Sequence, residues 1–216
     1  MLSLHGTWIF RNHLYNHRQN TTLIISEEIK KATVQSHRVL EKLVVDQIRS
    51  IATSKDYAHL LGLFYSYFGA LELMIDQHIS TQYFPDLNDR RKADLISKDL
   101  ERLGEQVPKR SGPKFLPVVN NNYRALGALY VIEGSSLGGR YIAKMIQDKL
   151  PDTTNGFLFF VGYGDKTNEM WDRFKNNLDS IPVNQDEIKS ILSGASDTFL
   201  KFAEWINSNI KSKTLT

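Results

Sequence analysis

One histidine with its neighbours, and one run of glycines, are the parts of this chain whose residue types and spacing could do chemistry. The six histidines are His5, His13, His17, His37, His59 and His78. A lone helical histidine is usually a surface residue or a satisfied core residue, and that reading serves His59 and His78. His37 differs in its neighbours. Glu41 follows it by one helical turn, so its carboxylate can accept a hydrogen bond from the imidazole Nδ1–H. That bond would fix the tautomer, leave Nε2 free for a metal and make the ligand more basic. Lys30 lies two turns back on the same stripe, within reach of a carboxylate at the edge of anything bound to His37. Alone, such a His/Glu pair is more often structural than metal-binding.

The second feature is Tyr130-Val131-Ile132-Glu133-Gly134-Ser135-Ser136-Leu137-Gly138-Gly139-Arg140. It sits inside a helical pattern, between Ala125, Leu126 and Leu129 on one side and Ile142, Met145 and Ile146 on the other. Each glycine in a helix interior costs ~0.8–1 kcal/mol relative to alanine. Such a cost points to a backbone that must bend or be approached closely. Gly134 and Gly138, four apart, share a face, and Gly139 falls beside them. A flat, wide ligand could lie against this backbone. Close packing of two helices through small residues explains the cluster equally well. A phosphate loop does not, because the Lys-Ser/Thr ending and a preceding strand are both missing.

The elements that must position these residues are helices. Apolar residues recur at helical spacing almost throughout, with no strand alternation, internal repeat or low-complexity segment. Ser26, followed by Glu27 and Glu28, predicts a helix start. That helix runs to about Ser50, with Ile29, Ala32, Leu40, Leu43 and Val44 as its apolar face. A second helix runs from Ser54 and fades near Ser80. A third is capped by Asn88 and ended by Gly104. Residues 104–119 read as a loop. A fourth helix opens at Asn120 or Asn121 and stops at Leu150 before Pro151. A connector of undefined form spans 156–164, Asp165 caps a fifth helix to about Ser180, and Asn184 with Glu187 opens the last, to about Ile210. The fold class expected is all-α, a single-domain helical bundle over 26–210. It has an N-terminal extension at 1–25, expected to be poorly ordered, and a tail at 211–216.

Bulk properties exclude several function classes. The chain has no cysteine, which removes disulfides, thiolate metal sites and cysteine nucleophiles and fits a reducing, cytoplasmic setting. A net charge of +3 is far short of a nucleic-acid-binding arm. No apolar run approaches the ~18 residues of a membrane span. No nucleic-acid or membrane partner is expected. Residues 1–24 hold three histidines and no acid, but lack the uninterrupted apolar core of a secretory signal.

These residues resemble the bacterial, biliverdin-producing haem oxygenases. Lys30-Lys31-Ala32-Thr33-x-x-x-His37-x-x-Leu40-Glu41 is similar to that family's proximal helix, and Glu133-Gly134-Ser135-Ser136-Leu137-Gly138-Gly139 to its distal helix. Asp56-Tyr57 through Glu72, Arg90-Arg91-Lys92-Ala93-Asp94-Leu95 through Gly104, Tyr163-Gly164, Trp171-x-x-Phe174 and Thr198-Phe199-x-x-Phe202-x-x-Trp205 extend the likeness to about residues 26–206. The resemblance implies that His37 ligates haem iron, with the sixth position open for O₂, and that Glu41 orients it. It implies that Lys30, with Arg173 or Lys175, holds the propionates, and that Gly134, Ser135, Gly138 and Gly139 line the distal face. The reaction implied opens haem to biliverdin with release of CO and ferrous iron. Its electrons come from an external donor such as a ferredoxin or a reductase, which the basic surface around Lys30, Lys31 and Arg38 would suit. Ser135 departs from the animal-type enzymes, where an aspartate organises the waters that deliver protons.

Three alternatives share some of these features. A non-catalytic haem-binding or storage protein would keep His37 and the glycines. A ferritin-type di-iron protein needs Glu-x-x-His pairs, and no glutamate here has a histidine three residues on. A thiaminase-like enzyme needs a cysteine.

Overall fold

The computed structural model describes residues 24–213 except Ser80 and Tyr83, with side chains to Ile210. The expectation for 1–25, including His5, His13 and His17, therefore falls almost wholly outside the described residues. Seven α-helices follow one another among them: α1 (Ile25–Ser50), α2 (Ser54–Asp76), α3 (Asp94–Arg102), α4 (Asn122–Lys149), α5 (Leu158–Val161), α6 (Thr167–Asp179) and α7 (Gln185–Lys213). Short 3₁₀ turns lie at Leu87–Asp89, Pro113–Phe115 and Gly164–Lys166, and no strand occurs among the described residues. The chain is all-α, as its periodicity predicts.

Several helix ends follow local chemistry. Thr53 and Asp56 form a reciprocal capping box at the start of α2. The Asn121 side chain accepts from the Arg124 N–H and opens α4. Asn184 and Glu187 make the expected pair of bonds at the start of α7. Gly104, at φ +74°, ends α3 in a left-handed conformation that glycine adopts without strain.

Other ends differ from expectation. Helix α1 begins one residue before Ser26. Ser26 is not its cap: its N–H and Oγ both donate to the Asp179 carboxylate, at 2.7 Å each, tying α1 to the end of α6. Ala32 is exposed, and Thr33 takes its place on the buried stripe, its hydroxyl satisfied by the Ile29 carbonyl. Asn88 lies in a 3₁₀ turn rather than capping α3, because the chain stays extended at Arg90. Asp165 does not cap α6; it is solvent-exposed and pairs with Arg140 at 3.0 Å.

The core is built around α2, whose Phe64, Tyr67 and Phe68 meet Phe159 and Phe160 of α5 and Phe202 of α7 in a continuous set of ring contacts. By length and composition α2 could cross a membrane, but its apolar surface is accounted for by this burial. Helix α7 packs along both α1 and α4. The α4–α7 crossing is close because Gly127 and Gly194 carry no side chain: a Cβ on Gly127 would sit 2.1 Å from the Ile191 carbonyl oxygen, and one on Gly194 2.3 Å from that of Arg124. Between α1 and α4 the same framework leaves a gap.

Candidate functional site

That gap is a cavity of about 740 Å³ with α1 as one wall and α4 as the other. Most of its lining is apolar: Phe64, Phe68, Phe159, Phe160, Phe199 and Phe202 from the core, with Val44, Tyr130, Ile142, Met145 and Trp171 around them. It falls in the 300–1,000 Å³ range of pockets that enclose a small organic ligand.

Helix α1 presents Lys30, His37 and Glu41 to this space, the stripe that their spacing predicts. The His37 ring meets Phe199 of α7 edge-on, centroids 5.4 Å apart and planes at 84°. Its side chain is 57% exposed, so the imidazole looks out into the gap rather than into the core. Glu41 Oε2 lies 4.0 Å from His37 Nδ1. That is longer than a hydrogen bond, so in this structure the carboxylate stands beside the imidazole without gripping it. Lys30 lies 4.0 Å from Glu27 at the cavity edge. Lys175 of α6 also lines the cavity, 3.0 Å from Asp172 and over the face of Trp171 at 5.9 Å.

Helix α4 presents Gly134, Ser135 and Gly138. A Cβ on Gly138 would meet nothing within 4 Å, and one on Gly134 would make ordinary contact with Trp171 at 3.6 Å. Both therefore open onto the cavity. Gly139 does not. A Cβ there would sit 2.2 Å from the Phe160 carbonyl oxygen, so this glycine serves the packing of α4 on α5. The cluster thus combines the two uses its sequence left open. Arg173 is likewise placed elsewhere: it pairs with Glu169 at 2.8 Å and approaches Asp86 at 3.7 Å, beside a separate hollow of about 290 Å³. Two residues apart on α6, Lys175 and Arg173 point to different places.

Behind the glycines lies a buried polar network whose arginines the sequence offers only as part of the family likeness, because adjacent arginines near a helix start ordinarily face water. Arg90 donates to Glu133 Oε2 at 3.0 Å, to Asp86 Oδ2 at 2.6 Å and to the Met170 carbonyl at 2.8 Å. The Tyr163 hydroxyl donates to Glu133 and accepts from the Arg91 N–H. The Arg91 guanidinium donates to the carbonyls of Phe159 and Ile132 and to Ser135 Oγ. Burial raises the Glu133 carboxyl against the opposing pull of Arg90 and Arg91, and burial lowers Arg91. Ser135 Oγ in turn donates to the Ile132 carbonyl at 2.6 Å. Ser135 thus has its one proton engaged and one lone pair filled.

The donor set narrows what could bind. No group of three His, Cys, Asp or Glu side chains among the described residues could hold a metal ion. An ion at His37 would need its other ligands supplied with it, as a macrocycle supplies four. A planar apolar ring with acidic edges fits the remaining features: a slot walled by glycine backbone and aromatic rings, with Lys30, Arg38 and Lys175 among its lining residues.

Comparison with known proteins agrees with this geometry. The chain is 28% identical over 188 residues to Heme oxygenase PigA of Pseudomonas aeruginosa, covering 87% of this chain and 92% of that protein. Its fold is similar to the NO- and CO-bound heme oxygenase of Neisseria meningitidis, with TM-score 0.75 at 22% identity over 86% of this chain and 92% of that one. It is also similar to heme oxygenase-1 of the cyanobacterium Synechocystis sp. PCC6803, solved in complex with heme, with TM-score 0.64 at 18% identity over 89% and 97% of the two chains. At these identities the two structures speak to the fold alone. The profile of the heme oxygenase family matches residues 23–208, nearly the whole described chain, and the chain belongs to that family.

Proposed function

We propose that the chain opens haem to biliverdin, with release of CO and ferrous iron, using His37 as the protein's ligand to the iron. The observation that carries this reading is the opposition of His37 on α1 to Gly134 and Gly138 on α4 across one apolar slot. When bound, haem supplies both the ring that is oxidised and the iron that activates O₂.

The protein's own residues bind and orient. His37 offers an imidazole nitrogen from the α1 side. Phe199 sets the ring's tilt, and Glu41 is close enough to accept from Nδ1–H after a small rotation. Lys175 stands over Trp171, which meets Tyr130, and together with Lys30 on the facing helix it brings positive charge to the lining of the slot, where the two would hold the propionates. Gly134 and Gly138 leave room for a small ligand and water on the α4 side. Ser135 can accept a hydrogen bond from such a water, but its own proton is held by the Ile132 carbonyl. Phe64, Phe68, Phe159, Phe160 and Phe202 give the slot an apolar floor.

Electrons would come from an external donor, a ferredoxin or a reductase, approaching the surface that includes Lys30, Lys31 and Arg38, where Glu27 and Glu28 stand 4.0 and 2.8 Å from the two lysines. A reducing compartment such as the cytoplasm supplies such donors, and we place the activity there. The test is turnover of the haem-loaded protein with ferredoxin and its reductase, or with ascorbate. The expected result is decay of the Soret band with growth of bilin absorbance and release of one CO per haem. A Soret band that persists under reduction in air would instead mean storage without cleavage.

A further inference from the structure

Arg91 is a buried cation without an anion of its own. Its residue is 5% exposed, and its guanidinium lies 4.0 Å from the centre of the Phe159 ring. Nη1 donates to the Phe159 carbonyl at 3.1 Å, and Nη2 to the Ile132 carbonyl at 2.9 Å and to Ser135 Oγ at 2.5 Å, while Nε has no partner. No carboxylate among the described residues pairs with it. The anions of this network go to its neighbour, since Glu133 and Asp86 both bind Arg90. The other ionisable groups facing Arg91 are Glu72 from α2, Glu133 from α4 and Tyr163 from the turn after α5. The cluster therefore behaves as a dipole. Its negative end is the Arg90 side, where Glu133 and Asp86 share one guanidinium, and its positive end is Arg91, pressed against the residue that follows the first distal glycine.

Removing a charge from water costs several kcal/mol unless it is paired, and a hydrophobic residue would fill this site more cheaply. Carbonyl dipoles and one hydroxyl hold the guanidinium in place of a carboxylate, so its positive field is offset only at longer range, by Glu133 and Glu72, and not by a contacting anion. Ser135, the hydroxyl it holds, lines the cavity. A fixed charge aimed through a low-dielectric wall acts strongly on charge that forms beyond it.

We infer that Arg91 is a positioning residue that holds Ser135 as a hydrogen-bond acceptor and sets a positive potential over the α4 side of the cavity, favouring anionic over neutral ligands bound there. The inference rests on haem occupying the slot with its iron on His37. It gives the chain an electrostatic device on the distal side, where the animal-type enzymes have an acid.

The test separates charge from packing by using two probes on the haem-loaded protein: azide, an anion, on the ferric form, and CO, which is neutral, on the ferrous form. In Arg91→Met the azide dissociation constant rises about tenfold, roughly what a unit charge ~10 Å away contributes at an effective dielectric constant of ~20. The CO dissociation constant stays within about threefold, because a neutral ligand feels the charge only through its dipole. Arg91→Lys restores most of the azide affinity. A second pair of variants avoids emptying the buried site. Ser135→Asp, which sets a carboxylate on Arg91, binds azide about tenfold more weakly than its isostere Ser135→Asn. Azide and CO weakened alike, or Ser135→Asp and Ser135→Asn behaving alike, overturns the proposal. These failures leave the ferric spectrum of the wild-type complex intact. A His37→Ala protein that keeps that spectrum overturns instead the ligand assignment beneath the proposal.

Discussion

A side chain added at Gly138 extends into open cavity, whereas one added at Gly139 strikes the Phe160 carbonyl oxygen at 2.2 Å. The two positions therefore separate function from fold. Gly138→Phe should fill the slot and weaken haem binding by more than about tenfold. It should leave the urea midpoint of the haem-free protein unchanged or slightly raised, since glycine is the poorer helix former. Gly139→Ala should lower stability by about 1–3 kcal/mol through overpacking on α5, and weaken haem only as the fold loosens. Paired urea and haemin titrations check both. The sequence places these glycines within one helix but not their partners, because what a Cβ meets depends on a neighbouring element. His37, Glu41 and Lys30 are more legible: a shared helical stripe is a local property, and the three line one cavity. Arg91 is legible only as part of the family likeness and not as a buried partner of Ser135, since nothing local to Arg90-Arg91 says that this stretch will be buried against α4.

At the scale of elements, the helices themselves follow from periodicity, and ends whose caps are made within four residues follow from local chemistry, as at Asn121 and Asn184. Ends governed by distant partners do not. Ser26 has the composition of a cap, yet its hydroxyl is bonded to Asp179, 153 residues away. The stretch between α4 and α6 was also opaque: α5 is a single turn whose first N–H groups are satisfied by the buried Asp99 carboxylate. The closest crossing, α4 on α7, rests on Gly127 and Gly194. Gly127→Ala would force apart two long helices whose backbones approach to 2.1 Å of the added methyl. The expected loss is at least about 2 kcal/mol of unfolding free energy, read by urea denaturation. Because α7 also carries Phe199, which meets the His37 ring, the same variant should weaken haem binding.

The whole molecule carries its own pH dependence through Glu72. This carboxyl, on α2, accepts a 2.8 Å hydrogen bond from the Ala93 N–H, and burial pushes its pKa up to about 7. A folded-state pKa above the unfolded value of ~4.3 means that protonated Glu72 favours the folded state. That contribution is complete below the unfolded pKa and is lost as pH rises through about 7. At most it amounts to roughly 4 kcal/mol. Glu72→Gln, which cannot ionise, should therefore unfold at nearly the wild-type urea midpoint at pH 4.5 and at a higher one at pH 8. Equal midpoints at both pH values would place the Glu72 pKa near its ordinary range.

Ligand binding tests the molecule as a unit too. Haem at 100 times its dissociation constant should stabilise the folded chain by about 2.7 kcal/mol, seen as a rise in Tm. The most direct test of the central claim is a haemin titration of the wild-type protein beside His37→Ala, followed by optical absorption. The account predicts a saturable 1:1 Soret complex in the wild type, loss of its histidine-ligated ferric spectrum in the variant, and partial recovery of that spectrum with added imidazole. A variant whose spectrum and affinity match the wild type would contradict it, and would move the iron ligand away from α1.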